Sequence, residues 1–503
     1  LKFTTSGAYV LHFEVKAGGQ STQTNLVIPY INSSKFRTPL NVVVLWPVTS
    51  SNLDDQINFE SGSTLSTLLA SGNSNLTWAV DPHVVATANN TGNSAWLEAL
   101  NAKLAAAENF TLPFANADLD GLQSRKFSDL VNSSFAASNN QSLLYIAKTG
   151  DVTPAWWRTV AARNGVIAVS DECYPATSSV ATTNGLFDNS SVGNKALVVD
   201  SQMSSMMSAG ISSENSATTQ QVALLADLLV TQLERPNLNR VVVLNAGYSM
   251  TSVGANESVS LLRGLTAPWL KPTTVAAALK QPSGSRTHSR CATSTIPKSV
   301  RTQLSISDGV RKRLSKLIAG TVEERQLFDA MLRSTAMQLS TTRRGQALEQ
   351  LKQLSESLDR AVRIMSSGEV VLPEEQGKVP ITINNSLSTE VQVMVRAEGI
   401  PSVRVIPQDS MTISVGAGKR KSIEIPTRLL GSDVGILQLQ LTDLEGNPIG
   451  KVVKIQVTSS AYAGIARWVM GIAGSLLVIL LGRKFSSGIR RVAARRRKNA
   501  HRE

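Results

Sequence analysis

Residues 75–85 read NLTWAVDPHVV, a short apolar run broken by Asp81-Pro82-His83. The run has the composition of a buried strand. The break has that of a helix start: a carboxylate to take up a free backbone N–H, then a proline whose missing N–H costs nothing in a first turn. The pattern recurs. Similar apolar runs stand at NVVVLWP (41–47), FTLPFA (110–115), LLYIAK (143–148), VIAVSD (166–171), ALVVDS (196–201) and RVVVLNA (240–246). Helix-like stretches lie between most of them, at 61–72, 94–109, 153–165 and 216–236. Continuous apolar strands alternating with helices predict a parallel sheet covered on both faces, and seven of them predict a barrel-like β/α domain over 36–270.

Ligands in such folds meet the carboxyl ends of the strands. Those ends carry Asp81 with His83, Asp118 and Asp120, Asp171 with Glu172, and Asp200. Two readings follow for Asp81, Asp118, Asp120 and Asp200. Carboxylates around one mouth suit glycoside hydrolysis, which needs a paired acid and base. Aspartates at strand ends are also ordinary N-caps, and Pro82 in the first helical position favours capping at Asp81.

The net charge of +13 does not mark a nucleic-acid binder, because it is concentrated in two places. Residues 1–270 hold 14 basic and 19 acidic side chains, 271–316 hold 10 and 1, 317–482 hold 17 and 16, and 483–503 hold 9 and 1. The last group includes Arg483, Lys484, Arg490, Arg491, Arg495, Arg496, Arg497 and Lys498. It follows an apolar stretch from Ala461 to Leu481 interrupted only by Arg467. Those 21 residues would make about 31 Å of helix, the thickness of a bilayer core, so the sequence predicts one transmembrane helix over 461–482. The positive-inside rule then puts the tail 483–503 in the cytoplasm and everything before the helix outside. The lipid bilayer is accordingly an expected partner.

No export signal opens the chain, and residues 1–35 read as two strands around Gly18-Gly19, the expected end of a longer β domain. Cys173 and Cys291 either pair across a long loop, as an oxidising exterior allows, or remain two thiols. Residues 271–305 are rich in Ser, Thr, Lys and Arg and predict a flexible basic linker. Helices are expected over 308–340 and 345–366 within a helical segment 306–368. Thr321 and Glu324 have capping-box spacing, and Leu351, Leu354, Leu358, Val362 and Met365 form one helical stripe. Residues 379–458 then alternate with period two through seven short strands, an immunoglobulin-like sandwich without the cysteine pair. SVGAGKRKS (414–422) reads as a hairpin turn rather than a phosphate loop.

The combination of NVVVLWPV, LTWAVDPHVV, WLEALNAKLAAAENFTLPFANADLDGL, ERPNLNRVVVLNAG and LTAPWLKP resembles an actinobacterial family of single-pass cell-envelope proteins of unknown function, encoded near the lipid II flippase. The resemblance implies an envelope location and cell-wall work, and no established activity. The barrel is also distantly similar to polysaccharide deacetylases and other carbohydrate-active barrels. It departs from their metal pattern, since the histidines are His12, His83, His288 and His501 and His83 is alone at the mouth. No GxSxG, HExxH, CxxC or GxGxxG motif occurs, so no cofactor or metal is expected. The expected architecture is thus multidomain: barrel, helical segment, sandwich and one C-terminal transmembrane helix. The expected function is a non-catalytic envelope scaffold or binding ectodomain that takes a cell-wall glycan or an envelope protein. A membrane-anchored glycan hydrolase is the alternative.

Overall fold

The computed structural model describes residues 2–32, 38–50, 59–71, 73–124, 127–136, 142–147, 152–177, 183–189, 193–212, 217–247, 267–289, 296–400, 403–405, 412–430, 434–459 and 468–481. The chain divides into two compact units. The first comprises Leu1–Ser307 and Gln326–Gln353, the second Asp308–Arg325 and Leu354–Glu503.

The first unit opens with a hairpin, β1 (Gly7–Ala17) and β2 (Gln20–Tyr30), paired in unbroken register. Its two-residue turn is glycine at both positions because φ is +60° at Gly18 and +83° at Gly19. Then come β3 (Leu40–Val48), α1 (Thr64–Ser71), β4 (Thr77–Val80), α2 (Pro82–Asn90), α3 (Ser94–Ala106), β5 (Asn109–Thr111), α4 (Leu119–Ser124), α5 (Ser128–Ala136), β6 (Leu144–Ile146), α6 (Pro154–Ala161), β7 (Val166–Ser170), β8 (Leu186–Asn189), β9 (Asn194–Val199), α7 (Ser201–Ser212), α8 (Ala217–Glu234) and β10 (Val241–Asn245). Seven of these strands run parallel in the order β5-β4-β3-β10-β9-β7-β6. A parallel bridge between Thr111 and Leu143 joins the two ends of that order. Strand order therefore follows chain order once around, and the sheet is barrel-like, its two ends brought together at that one bridge.

Alternation explains why the strands read as unbroken apolar runs. Val43, Leu45, Ala79, Leu144, Ile146, Ala168, Leu197 and Val243 fill the interior. Their neighbours Val42, Val44, Trp46, Trp78, Val242 and Leu244 point outward, beneath Leu65, Val84, Leu100, Leu224 and Leu228 of the helices. The fully buried Trp46 and Trp78 supply large apolar area to that outer layer.

The flexible linker expected at 271–305 is corrected over its described part. β11 (Leu270–Pro272) adds beside β3, and α9 (Val275–Ala278) places Val275 and Ala278 in the barrel's interior cluster. Glu108 holds the start of α9 by accepting from the N–H groups of Val275 (2.5 Å) and Ala276 (2.8 Å). Residues 285–289 then bond to 173–177, with Ser289 N–H donating to Cys173 O at 2.8 Å. Val275, Ala278 and the partly buried Leu279 seat this segment against the interior cluster. Cys173 is buried and disulfide-bonded. Cys291, the other cysteine of the sequence, lies outside the described residues.

The helical segment also departs from expectation. It forms α10 (Lys298–Ile318), α11 (Val322–Ser334) and α12 (Thr341–Asp359). The Thr321 hydroxyl accepts from Glu324 N–H at 3.3 Å, while the Glu324 carboxylate accepts from Gly320 N–H at 2.7 Å. The helical stripe fails at its end: Val362 and Met365 lie in β12 (Val362–Met365), because the chain leaves the helix at Asp359.

In the second unit β12, β13 (Glu369–Leu372), β14 (Gln376–Asn385), β15 (Val391–Ile400), β16 (Val403–Val405), β17 (Ile413–Val415), β18 (Arg420–Leu429), β19 (Val434–Thr442) and β20 (Pro448–Ser459) form a four-stranded sheet, β12-β14-β18-β16, and a five-stranded one, β13-β20-β19-β15-β17. Buried Val379, Ile381 and Ile383 alternate along β14, as Leu437, Leu439 and Leu441 do along β19, the pattern of two sheets sharing one core. The turn at 416–419 is tight, with Lys419 N–H donating to Gly416 O at 3.1 Å. It is not a hairpin: β17 belongs to one sheet and β18 to the other.

The predicted transmembrane helix is corrected as well. Among the described residues no helix is long and apolar enough to cross a membrane. The described helix at 468–481 is 14 residues, about 21 Å, against a bilayer core of about 30 Å. Residues 460–467 and the basic cluster from Arg483 to Lys498 lie outside the described residues.

Candidate functional site

The carboxyl ends of the barrel strands form two contrasting halves. At the ends of β4 and β5 every candidate carboxylate is buried. Asp81 is 0% exposed, Asp118 6% and Asp120 1%. Asp81 caps α2, its Oδ1 accepting from His83 N–H at 2.9 Å, with Pro82 in the first turn. The same oxygen accepts from Ala115 N–H at 2.8 Å, while Oδ2 is buried with no hydrogen-bond partner among the described residues. Burial pushes the Asp81 carboxyl up to about 7, against the pull of those two N–H groups. Burial also drives His83 down to about 3, with the Arg333 charge adding to the effect. The His83 ring lies 5.5 Å from that of Phe114, and its Nε2 is buried with no hydrogen-bond partner among the described residues. Asp118 accepts from Gly121 N–H at 2.9 Å and from Tyr145 Oη at 3.4 Å. Asp120 accepts from the Thr153 hydroxyl at 2.5 Å, and that hydroxyl in turn caps α6.

This half is closed by the chain itself. Ala115 and Asn116 both adopt left-handed backbone (φ +56° and +49°), a conformation that costs a non-glycine residue energy unless its surroundings hold it. The stretch after α11 holds it: Met337 N–H donates to Asn116 O at 3.0 Å, and Thr335 O accepts from Asp118 N–H at 3.1 Å. Gln338 Nε2 donates to Ser50 O (2.9 Å) and Ala115 O (3.3 Å), and its Oε1 accepts from Asn116 Nδ2 at 3.3 Å. Residues 335–338 are thus a strap over the β4–β5 corner.

The ends of β7, β9 and β10 differ. Ser170, Asp171, Asp200, Ser201 and Asn245 are half-buried. Ser201 Oγ donates to Asp171 Oδ1 at 2.5 Å and lies 2.7 Å from Ser170 Oγ. Asp200 caps α7 by accepting from Met203 N–H at 2.8 Å. Its carboxyl is raised, first by burial and then by the charges of Asp171 and Asp227, with Arg286 opposing. Arg286 is held by the carbonyls of Tyr174 (2.7 Å) and Asn184 (3.1 Å). The result is an arc of hydroxyl, carboxylate and amide groups with a guanidinium close enough to feel both aspartates. Such groups suit a hydroxyl-rich ligand. Neither serine hydroxyl bonds to an imidazole among the described residues.

Of the sequence candidates, the fold sets Asp81, Asp118 and Asp120 into the closed half and leaves Asp200 on the arc. Sequence reasoning missed Ser170, Ser201, Asn245, Arg286 and Gln338. A signal existed for the two serines, since VIAVSD and ALVVDS carry Ser and Asp side by side at both strand ends. No local signal exists for Gln338, 222 positions from Asn116. Among the described residues no group of three or more His, Cys, Asp or Glu is placed to hold a metal ion. A second concavity, of about 560 Å³, is lined by Lys316, Glu390, Asp443 and Glu445 of the second unit. Its polar groups already serve one another, as Lys316 pairs with Glu445 at 2.8 Å and Asp443 accepts from Asn447 N–H at 2.8 Å.

The sequence matches the family described as "Family of unknown function (DUF6049)" over residues 1–497. No curated protein matches it. Solved structures are similar over about a fifth of the chain. A Caenorhabditis elegans MSP family member, WR4, is 13% identical, with 20% of this chain and 97% of that one covered and a TM-score of 0.16. Salmonella alpha-2-macroglobulin reacted with methylamine is 12% identical, with 20% and 7% covered and a TM-score of 0.16. The PapD-like domain 7 of human CEP192 is 11% identical, with 20% and 83% covered and a TM-score of 0.15.

Proposed function

We propose that this chain, which belongs to the DUF6049 family of unknown function, is a non-catalytic binding or scaffold protein of the cell envelope. Its barrel lies outside the cytoplasm at the surface of a lipid bilayer. Its ligand is a cell-wall glycan, a wall precursor or an envelope protein. The observation that carries this reading is the half-exposed arc of Ser170, Asp171, Asp200, Ser201 and Asn245, rich in hydrogen-bonding groups. The disulfide at Cys173 supports an oxidising location. The finer reading, of an actinobacterial envelope protein encoded beside the lipid II flippase, rests on the sequence stretches quoted above.

The test is titration of the protein with soluble peptidoglycan fragments, read by calorimetry. Binding that weakens at least tenfold in both Ser201→Ala and Asp200→Asn supports the arc; affinity unchanged in both removes it. One observation favours a second reading, a glycan hydrolase: the Asp200 carboxyl is raised beside Asp171, as a proton donor requires. Release of reducing ends by the wild type and not by Asp200→Asn would establish it, and absence of turnover in both would reject it.

A further inference from the structure

The strap at 335–338 lies over the carboxyl ends of β4 and β5, where folds of this kind take their ligands. It is held there as a bound peptide would be. Asp118 N–H donates to Thr335 O and Met337 N–H to Asn116 O, and these two bonds flank Ala117 and Ala336 as a non-hydrogen-bonded antiparallel pair. Past that pair the Gln338 carboxamide uses both its ends. Its nitrogen serves the carbonyls of Ser50 and Ala115, and its oxygen the side-chain amide of Asn116. On its other side the strap belongs to α12. Arg344 donates to Ser334 O (3.1 Å) and Ala336 O (3.0 Å), and Ala336 and Leu339 pack with Ala347 in a small cluster of their own.

The corner beneath offers more than the strap takes. Asp81 Oδ2, His83 Nε2 and Asn116 Oδ1 have no hydrogen-bond partner among the described residues, and their residues are 0%, 7% and 0% exposed. All three adjoin the strap's own contacts. Asn116 bonds it directly, and the other oxygen of Asp81 holds the backbone N–H groups of His83 and Ala115. Unpaired buried polar atoms are destabilising, so a corner shaped only for a permanent strap would not keep three of them.

We infer that the β4–β5 corner is a second binding site of the barrel mouth, built for an extended peptide that carries a primary carboxamide, and that residues 335–338 occupy it as an internal stand-in. An incoming peptide displaces the strap, repeats its two backbone bonds beside Ala117 and places an asparagine or glutamine side chain where Gln338 now lies. The unpaired atoms of Asp81, His83 and Asn116 give it further partners. This site is separate from the arc at β7, β9 and β10, and it stands even if the arc binds nothing.

The experiment uses the full chain in mild detergent, because the apolar helix over 468–481 is exposed. By hydrogen exchange the amides of Asp118 and Met337 should exchange together, at least about tenfold faster than those of β3 and β10, because the strap lifts while the sheet stays intact. The probe is a peptide with the sequence of residues 334–340, STAMQLS. In the wild type it competes with a tethered strap at high effective concentration. Gln338→Ala, whose strap has lost its carboxamide, should therefore bind it at least about tenfold more tightly. A peptide with leucine in place of the glutamine should bind that variant at least about tenfold more weakly. Ala117→Cys with Ala336→Cys, joined by mild oxidation at their close pair, should bind neither. Four results would overturn the inference: exchange of Asp118 and Met337 only with the whole sheet, equal binding of the two peptides, binding to the cross-linked variant, or no binding to a Gln338→Ala chain whose sheet amides stay protected.

Discussion

Asp81 and His83 stand two residues apart, both buried, and burial shifts both toward neutrality. The consequence for stability can be worked out. An aspartate of ordinary value 3.8 raised to about 7 by the fold favours the folded state at acid pH, an advantage lost as pH rises through 7. At about 1.36 kcal/mol per pH unit that is about 4 kcal/mol. A histidine of ordinary value 6.5 lowered to about 3 works the other way: its contribution is complete above 6.5 and is lost as pH falls toward 3, by up to about 5 kcal/mol. Between about pH 4 and 6.5 the two slopes oppose, so the wild type should show little net dependence from this pair. Asp81→Asn keeps an acceptor for the His83 and Ala115 N–H groups and removes the charge. In urea unfolding it should match the wild type near pH 4 and exceed it by a few kcal/mol at pH 8, with the histidine slope now uncovered. If Asp81→Asn is less stable than the wild type at pH 8, the two N–H donors outweigh burial, Asp81 is ionised in the fold, and the reasoning is wrong.

Three other outcomes follow from the same packing. Gln338→Leu strands the carbonyls of Ser50 and Ala115 and the amide of Asn116, and should cost about 2–4 kcal/mol in urea unfolding. Gly185→Ala would put a Cβ 2.8 Å from Val241 O, and the resulting crowding should cost about 1–3 kcal/mol, seen as a lower Tm. Cys173→Ser removes the disulfide and should lower stability by about 2–4 kcal/mol, a difference that vanishes when wild type and variant are compared under reducing conditions.

The parallel, barrel-like sheet was legible in the sequence because strands buried on both faces must be apolar throughout, and the seven runs from NVVVLWP to RVVVLNA each overlap an observed strand. Local chemistry was legible too. Pro82 begins α2 because of its fixed φ, and Gly18-Gly19 turns because both positions need φ above zero. What failed was composition read without partners. The segment after 270 is polar enough to pass for a linker, yet Val275 and Ala278 find a place in the barrel. Val362 and Met365 continue a helical spacing but pair with Asn385 and Thr382 as strand residues. At the candidate site, the aspartates were visible as residue types. That three of them face backbone N–H groups or neighbouring hydroxyls in a closed corner depends on Gln338 and Thr153, whose approach no local pattern encodes.

The strap at 335–338 also sets a clock. A ribosome adding about 5–20 residues per second needs upwards of ten seconds to travel the 222 positions from Asn116 to Gln338. During that interval the left-handed turn at Ala115 and Asn116 has lost neither its strain nor its exposure to water, and the β4–β5 corner stays open. The barrel sheet can close before then, but its mouth is finished only when a much later part of the chain arrives. A chain shortened anywhere before Gln338 would therefore leave the β4–β5 corner unlatched.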